Sequence, residues 1–120
     1  MRNIQKTGAP RIWVRRGIVH YEWWPSKIQG AISIRGQPRS DQIWWLDLVR
    51  VGHPNSRGKG YGTKALQDIV KFLIEFLGAK EIGLAPRNLG TPQPWLRDWY
   101  QREGFTVEHE DGSLWMLVDP

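Results

Sequence analysis

The chain has 120 residues, 40% of them hydrophobic and 24% charged, which suits one folded domain with a single core rather than a disordered segment. No apolar run approaches the roughly 20 residues that span a bilayer, Met1 to Pro10 lacks the apolar stretch of a signal peptide, and the absence of cysteine excludes a disulfide framework, a thiolate metal site and a cysteine nucleophile. The formal net charge of +5 favours polyanionic or phosphorylated partners, and a cytoplasmic location fits a cysteine-free chain.

Residues 1–9 read as a loose arm on a single domain spanning 1–120. Arg11 to Val14 and Ile18 to Trp24 are rich in β-branched and aromatic residues and predict two strands around a turn at Arg16-Gly17. Ile28 to Arg35 predicts a third strand, with Gly36-Gln37-Pro38 as the next turn. Ile43 to Val51 is the longest strand candidate. Leu66, Ile69, Val70, Leu73, Ile74 and Leu77 recur at helical spacing and predict a helix over Thr63 to Leu77, with Gly78 as its stop. Glu81 to Ala85 is a short strand, which completes a strand–loop–helix–strand unit of the βαβ kind. Pro86 to Pro94 reads as a loop, Trp95 to Glu103 as a short helix capped by Gly104. Phe105 to Glu108 and Leu114 to Val118 form a hairpin around Asp111-Gly112.

Eight tryptophans are many for this length, and two pairs are adjacent: Trp23-Trp24 and Trp44-Trp45. Successive side chains on a strand point to opposite faces, so such a pair serves both sides of a sheet and suggests something packed on each. Stacking platforms for single-stranded nucleic acid are the other use of exposed aromatics.

The segment Arg57-Gly58-Lys59-Gly60-Tyr61-Gly62-Thr63 joins the longest strand to the clearest helix. Alternating glycines let the backbone approach a ligand, and the amides opening the helix lack intrahelical partners. Together with the positive end of the helix dipole and the charges of Arg57 and Lys59, they make a cradle for phosphate. The plain alternative is a tight turn. Two familiar phosphate motifs fail: a P-loop would need Ser or Thr after Lys59, where Gly60 stands, and a dinucleotide fingerprint would need glycine where Thr63 stands.

The remaining pattern, Arg57-x-x-Gly60-x-Gly62 between a strand and a helix, resembles the coenzyme A pyrophosphate loop of the GNAT acetyltransferase superfamily, with Pro54 three residues ahead. A second segment, Tyr100-Gln101-Arg102-Glu103-Gly104-Phe105, resembles the family's short helix ending in Tyr, followed three residues later by Gly-Phe. The resemblance covers about Ile43 to Val118. It implies an α/β (α+β) fold: a mostly antiparallel, twisted sheet with a central strand–loop–helix–strand unit and helices on both faces. The N-terminal third departs from it, because Arg11 to Arg35 has no helical period and the usual early helices are reduced.

The cosubstrate so implied is acetyl-CoA, with no metal. Backbone groups of Val49, Arg50 and Val51 would pair with the pantetheine arm. Amides of Gly58, Gly60, Gly62 and Thr63, with Arg57, Lys59 and Tyr61 around them, would hold the pyrophosphate. Tyr100 is the candidate general acid for the departing thiolate, since a phenol keeps its proton at neutral pH; its plain alternative is a core aromatic. Asp47, on the strand leading to the cradle, is the candidate base for the amine acceptor, with His53, His20, Glu22, Glu108 and His109 behind it. Other readings are a basic, Trp-rich nucleic-acid-binding module, less favoured because its charges are dispersed and no known motif is present, and a GNAT-fold protein that binds coenzyme A without catalysis. Exposed tryptophans would also suit a homodimer whose second copy completes the acceptor pocket.

Overall fold

The structure is a computed structural model and describes residues 9–25, 31–51, 60–88, 91–92 and 94–118. Its main sheet has seven strands in the order β1-β2-β3-β4-β5-β9-β8. These are β1 Arg11–Arg15, β2 Ile18–Trp23, β3 Ile32–Ser40, β4 Ile43–Val51, β5 Glu81–Leu84, β8 Val107–Glu108 and β9 Leu114–Leu117. β4 and β5 are parallel and all other neighbours antiparallel. The helices are α1 Tyr61–Leu77, which crosses between β4 and β5, and α2 Pro94–Arg102. This is an α+β fold with a mixed sheet.

Alternation along the strands separates two faces. Val19, Tyr21, Ile34, Leu46, Leu84 and Leu114 share one face and are fully buried against Leu66, Ile69 and Leu73 of α1. Leu96 and Tyr100 of α2 join the same cluster. A side-chain bond fixes α1 to the sheet: the Tyr21 hydroxyl donates to Asp68 at 2.9 Å, and Lys64, one turn earlier on the same helix, pairs with that carboxylate at 3.0 Å. The expected helices on both faces are therefore corrected. Both described helices lie on one side, because each follows β4 in the chain, and the segment from β1 to β3 supplies none among the described residues.

The other face carries aromatic and charged side chains instead. Trp44 packs against the core while Trp45, its neighbour, turns the opposite way and meets Trp115 at 5.8 Å between ring centroids. His109 stacks on Trp115, Trp13 on His20, and the guanidinium of Arg39 lies 4.3 Å from the Trp45 ring centre.

Three further expectations shift. The turn expected at Gly36-Gln37-Pro38 lies inside β3, and the chain reverses at Asp41-Gln42 instead. Gly36 is buried between Val19, Leu46 and Leu73, and Pro38 sits beside a register shift, where a missing N–H is tolerated. Residue 28, the expected start of that strand, lies outside the described residues. The loop from Pro86 to Pro94 contains two short antiparallel strands, β6 Arg87–Asn88 and β7 Thr91–Pro92. α1 begins two residues before Thr63, since Gly60 at φ 79° takes the left-handed conformation that lets a helix start at once.

Candidate active site

Where the parallel ladder stops determines the site. β4 and β5 pair from Ile43↔Glu81 to Leu46↔Leu84, and no pair follows. β4 runs on to Val51 while β5 ends at Leu84. Among the described residues β4 is paired from Asp47 onward to β3 alone, so the edge toward β5 offers main-chain N–H and C=O groups without a described strand partner. Val49, Arg50 and Val51 belong to this free edge by their backbone.

Arg57, Gly58 and Lys59 lie outside the described residues, as do His53 and Pro54. The far side of the loop is described. Gly60 caps α1, and the first helical bond runs from the Lys64 N–H to the Gly60 carbonyl at 3.0 Å. The amides of Tyr61, Gly62 and Thr63 precede that bond. No side chain caps this end and its first turn holds no acidic residue. An uncapped terminus of a 17-residue helix suits an anion such as the coenzyme's pyrophosphate.

Tyr100 is placed by the turn that follows it. Gly104 adopts φ 107°, and the Phe105 N–H returns to the Tyr100 carbonyl at 3.0 Å. This closure needs a glycine four residues after the tyrosine and brings the Phe105 ring edge-on to Tyr100, 6.3 Å between centroids. Trp99 stacks on its other side at 4.8 Å. Tyr100 is only 2% exposed, and its hydroxyl makes no hydrogen bond with any described residue. Burial pushes the phenol well above its ordinary value. A buried hydroxyl is costly without a partner, so one beyond the described residues, in the chain or in a ligand, is called for.

Side-chain bonds tie α2 and the residue after it to their surroundings. Trp99 donates its indole N–H to the Thr63 hydroxyl at 2.9 Å, Gln67 on α1 bonds Glu103 at 2.8 Å, and Arg97 pairs with Glu108. The helix bearing Tyr100 is thereby fixed to the first turn of α1.

Asp47 lies on the helix-free face, half-buried, and accepts a hydrogen bond from the Gln37 side-chain amide at 2.6 Å. The lesser base candidates are engaged elsewhere: Glu22 pairs with Arg11, Glu108 with Arg97, and both described histidines stack on tryptophans. Among the described residues no three His, Asp or Glu side chains gather to hold a metal ion, and no described helix is long and apolar enough to cross a membrane. Sequence reasoning missed two partners, Gln37 for Asp47 and Thr63 for Trp99. The first was hidden by the misplaced turn, and the second by a separation of 36 residues.

Comparison with known proteins agrees with this geometry. The profile described as "Acetyltransferase (GNAT) family" matches residues 4–105. The S-alkylcysteine N-acetyltransferase of Bacillus subtilis (strain 168) is 29% identical over 80 residues, which are 63% of this chain and 42% of that protein. Thus the chain spans well under half the length of this curated relative. Among solved structures, a point mutant of the spermidine N-acetyltransferase of Vibrio cholerae superposes with a TM-score of 0.62 at 15% identity, over 85% of this chain and 66% of that one. N-acetylglutamate synthase from Neisseria gonorrhoeae, complexed with coenzyme A and L-arginine, gives 0.58 at 14%, over 87% of this chain and 25% of that one. These two likenesses concern the fold. The parallel ladder that stops short, the uncapped helix behind it and the profile match over most of the length lead to one conclusion: the chain belongs to the acetyltransferase (GNAT) family.

Proposed function

We propose that the protein transfers an acetyl group from acetyl-CoA to an amine by direct attack, with both substrates bound together. The observation that carries this reading is the free edge of β4 beyond the Leu46↔Leu84 rung, leading toward an uncapped helix N-terminus at Gly60.

Acetyl-CoA supplies the activated acetyl thioester. The main-chain groups of Val49, Arg50 and Val51 pair with its pantetheine arm as another strand would. The helix amides of Tyr61, Gly62 and Thr63, with Gly58, Gly60 and the charges of Arg57 and Lys59, take the pyrophosphate. Asp47 receives the proton the amine must lose, with its carboxylate oriented by Gln37. Tyr100 gives its proton to the departing sulfur, since a phenol is protonated at neutral pH. Acid and base then approach the thioester from opposite faces of the sheet.

The acceptor is an amine. Relatives named for S-alkylcysteine and for spermidine differ in acceptor class, so names alone select none. A cytoplasmic location fits the reading, since acetyl-CoA is a soluble intracellular metabolite.

The test is a pair of measurements on the whole chain. Acetyl-CoA raises the melting temperature, because a ligand that binds only the folded state stabilises it by mass action, and ATP and NAD at equal concentration do much less. Thiol release then accompanies transfer to a member of an amine panel. Equal stabilisation by ATP, or a shift with single-stranded oligonucleotide and none with acetyl-CoA, would overturn the reading.

A further inference from the structure

We propose that the acceptor is a free α-amino acid, its carboxylate held by Arg35 and its amine presented to Asp47. This rests on the acetyl-transfer reading above and adds the acceptor's class to it.

Arg35 and Asp47 are direct cross-strand partners on β3 and β4, both on the helix-free face. Side chains so paired lie about 5 Å apart at their β-carbons. Asp47 is also the first β4 residue past the last rung to β5, which puts the pair at the mouth of the free edge. An ion pair between them would be the simplest outcome, yet none forms. The Asp47 carboxylate accepts instead from the neutral Gln37 amide, through one oxygen, Oδ2. Arg35 is exposed and makes no ion pair or hydrogen bond with any described residue. The Asp47 carboxylate is thus oriented by a neutral donor, and the guanidinium opposite keeps its donors free of any described residue.

The two groups thus present complementary charges side by side, as the two ends of a zwitterion require. A guanidinium binds a carboxylate through two parallel N–H bonds, a geometry that an amide or alcohol cannot match. Asp47 beside it receives the ammonium group and then its proton. The surrounding charges disfavour the main rival, a polyamine. Arg11, Arg15 and Arg39 point to the same face as Arg35, and of the acidic groups there Glu22 is taken by Arg11. Glu81 stands at the opposite end of the ladder, paired with Ile43. With Arg11 and Glu22 offsetting each other, a polycation would still meet Arg15, Arg35 and Arg39 among the described residues. Peptide N-termini and protein lysines lack a carboxylate next to the amine, so they would leave Arg35 unused.

The experiment compares free L-amino acids with their α-carboxamides as acceptors, measuring thiol release from acetyl-CoA by the full chain. The acids are expected to exceed the matched amides in kcat/KM by about tenfold or more, the worth of one charge-assisted bidentate contact. In Arg35→Gln this ratio should collapse toward unity, and Arg35→Lys should restore part of it. In parallel, an amino acid that is turned over should raise the melting temperature of the coenzyme A complex, and its amide should not. Wild-type protein that acetylates amides or spermidine as well as acids overturns this inference and leaves acetyl transfer standing. So does an Arg35→Gln variant that loses acids and amides in equal proportion, which marks a structural arginine. Stabilisation by acetyl-CoA with neither turnover nor thermal shift from any amino acid also overturns it. No stabilisation by acetyl-CoA and no thiol release with any amine overturns both readings together.

Discussion

The indole N–H of Trp99 donates to the Thr63 hydroxyl oxygen at 2.9 Å, so the helix that carries Tyr100 is pinned to the first turn of the helix that follows the glycine-rich segment. One bond therefore couples the position of the candidate acid to that of the candidate phosphate cradle. Thr63→Val keeps the shape and removes the acceptor, leaving a half-buried indole N–H unpaired. The expected cost is about 1–2 kcal/mol in urea unfolding, with a higher KM for acetyl-CoA and a lower kcat together. An unchanged unfolding midpoint would show that the bond contributes nothing to the coupling.

Tyr100→Phe should separate stability from activity. The ring contacts to Trp99 and Phe105 persist, and a buried hydroxyl with no partner among the described residues disappears. The variant should be at least as stable as the parent and bind acetyl-CoA as well, while turnover falls about 10²–10⁴-fold, the usual worth of acid catalysis. Undiminished turnover would remove Tyr100 from the mechanism.

Gly62→Val tests the backbone cradle. Gly62 lies in the first turn of α1, ahead of the first helical hydrogen bond, and a branched side chain there obstructs any anion approaching the amides. At a helical position valine is no worse a helix former than glycine, so the fold should survive. The thermal shift from acetyl-CoA should vanish. Binding as tight as in the parent would refute the cradle.

Alkaline pH should unfold the protein through two phenols. Tyr21 is raised above its ordinary value chiefly by burial and further by its bond to Asp68; Tyr100 is raised by burial. With the folded value above the unfolded one, their contribution is intact below the unfolded value near pH 10 and is lost as pH rises beyond it. Above about pH 10 each phenol should cost roughly 1.4 kcal/mol per pH unit. Tyr100→Phe and Tyr21→Phe should each flatten that limb, as read from denaturant midpoints across pH.

Gly83 meets the ring of Trp115 on the helix-free face: a β-carbon at Gly83 would come within 2.6 Å of three indole atoms. Gly83→Ala forces the indole off its hydrogen bond to Ser113 and out of its stack with His109. The expected destabilisation is about 1–3 kcal/mol, the range for overpacking, with a change in tryptophan fluorescence. A variant with parental stability and spectrum would mean that the face readily rearranges.

Much of this was legible before the structure. The period of α1, the glycine stop at Gly78 and the β4–α1–β5 crossover depend on local pattern, and they stand where the pattern puts them. The Tyr100…Gly104-Phe105 spacing was legible as well, because one turn accounts for it. Gly36 and Pro38 were misread as a turn since both residue types punctuate chains; packing under Leu73 and a register shift overrode that local preference. That error hid Gln37 from Asp47. Placement of both helices on one face follows from chain order and crossover direction, which no single segment encodes. The pairing of Arg35 with Asp47 depends on the register between two strands, and a one-residue slip would have put them on opposite faces.

An open sheet must also keep its outer strands from recruiting other chains. Here β1 forms one border, with Arg11 and Arg15 at its two ends and mostly exposed side chains. The other border is β8, only two residues long, too short to template a neighbour. Charge guards one margin and brevity the other, which discourages strand-by-strand growth into aggregates although the sheet never closes on itself. Replacing the two arginines of β1 with threonine or valine would convert that margin into an adhesive one.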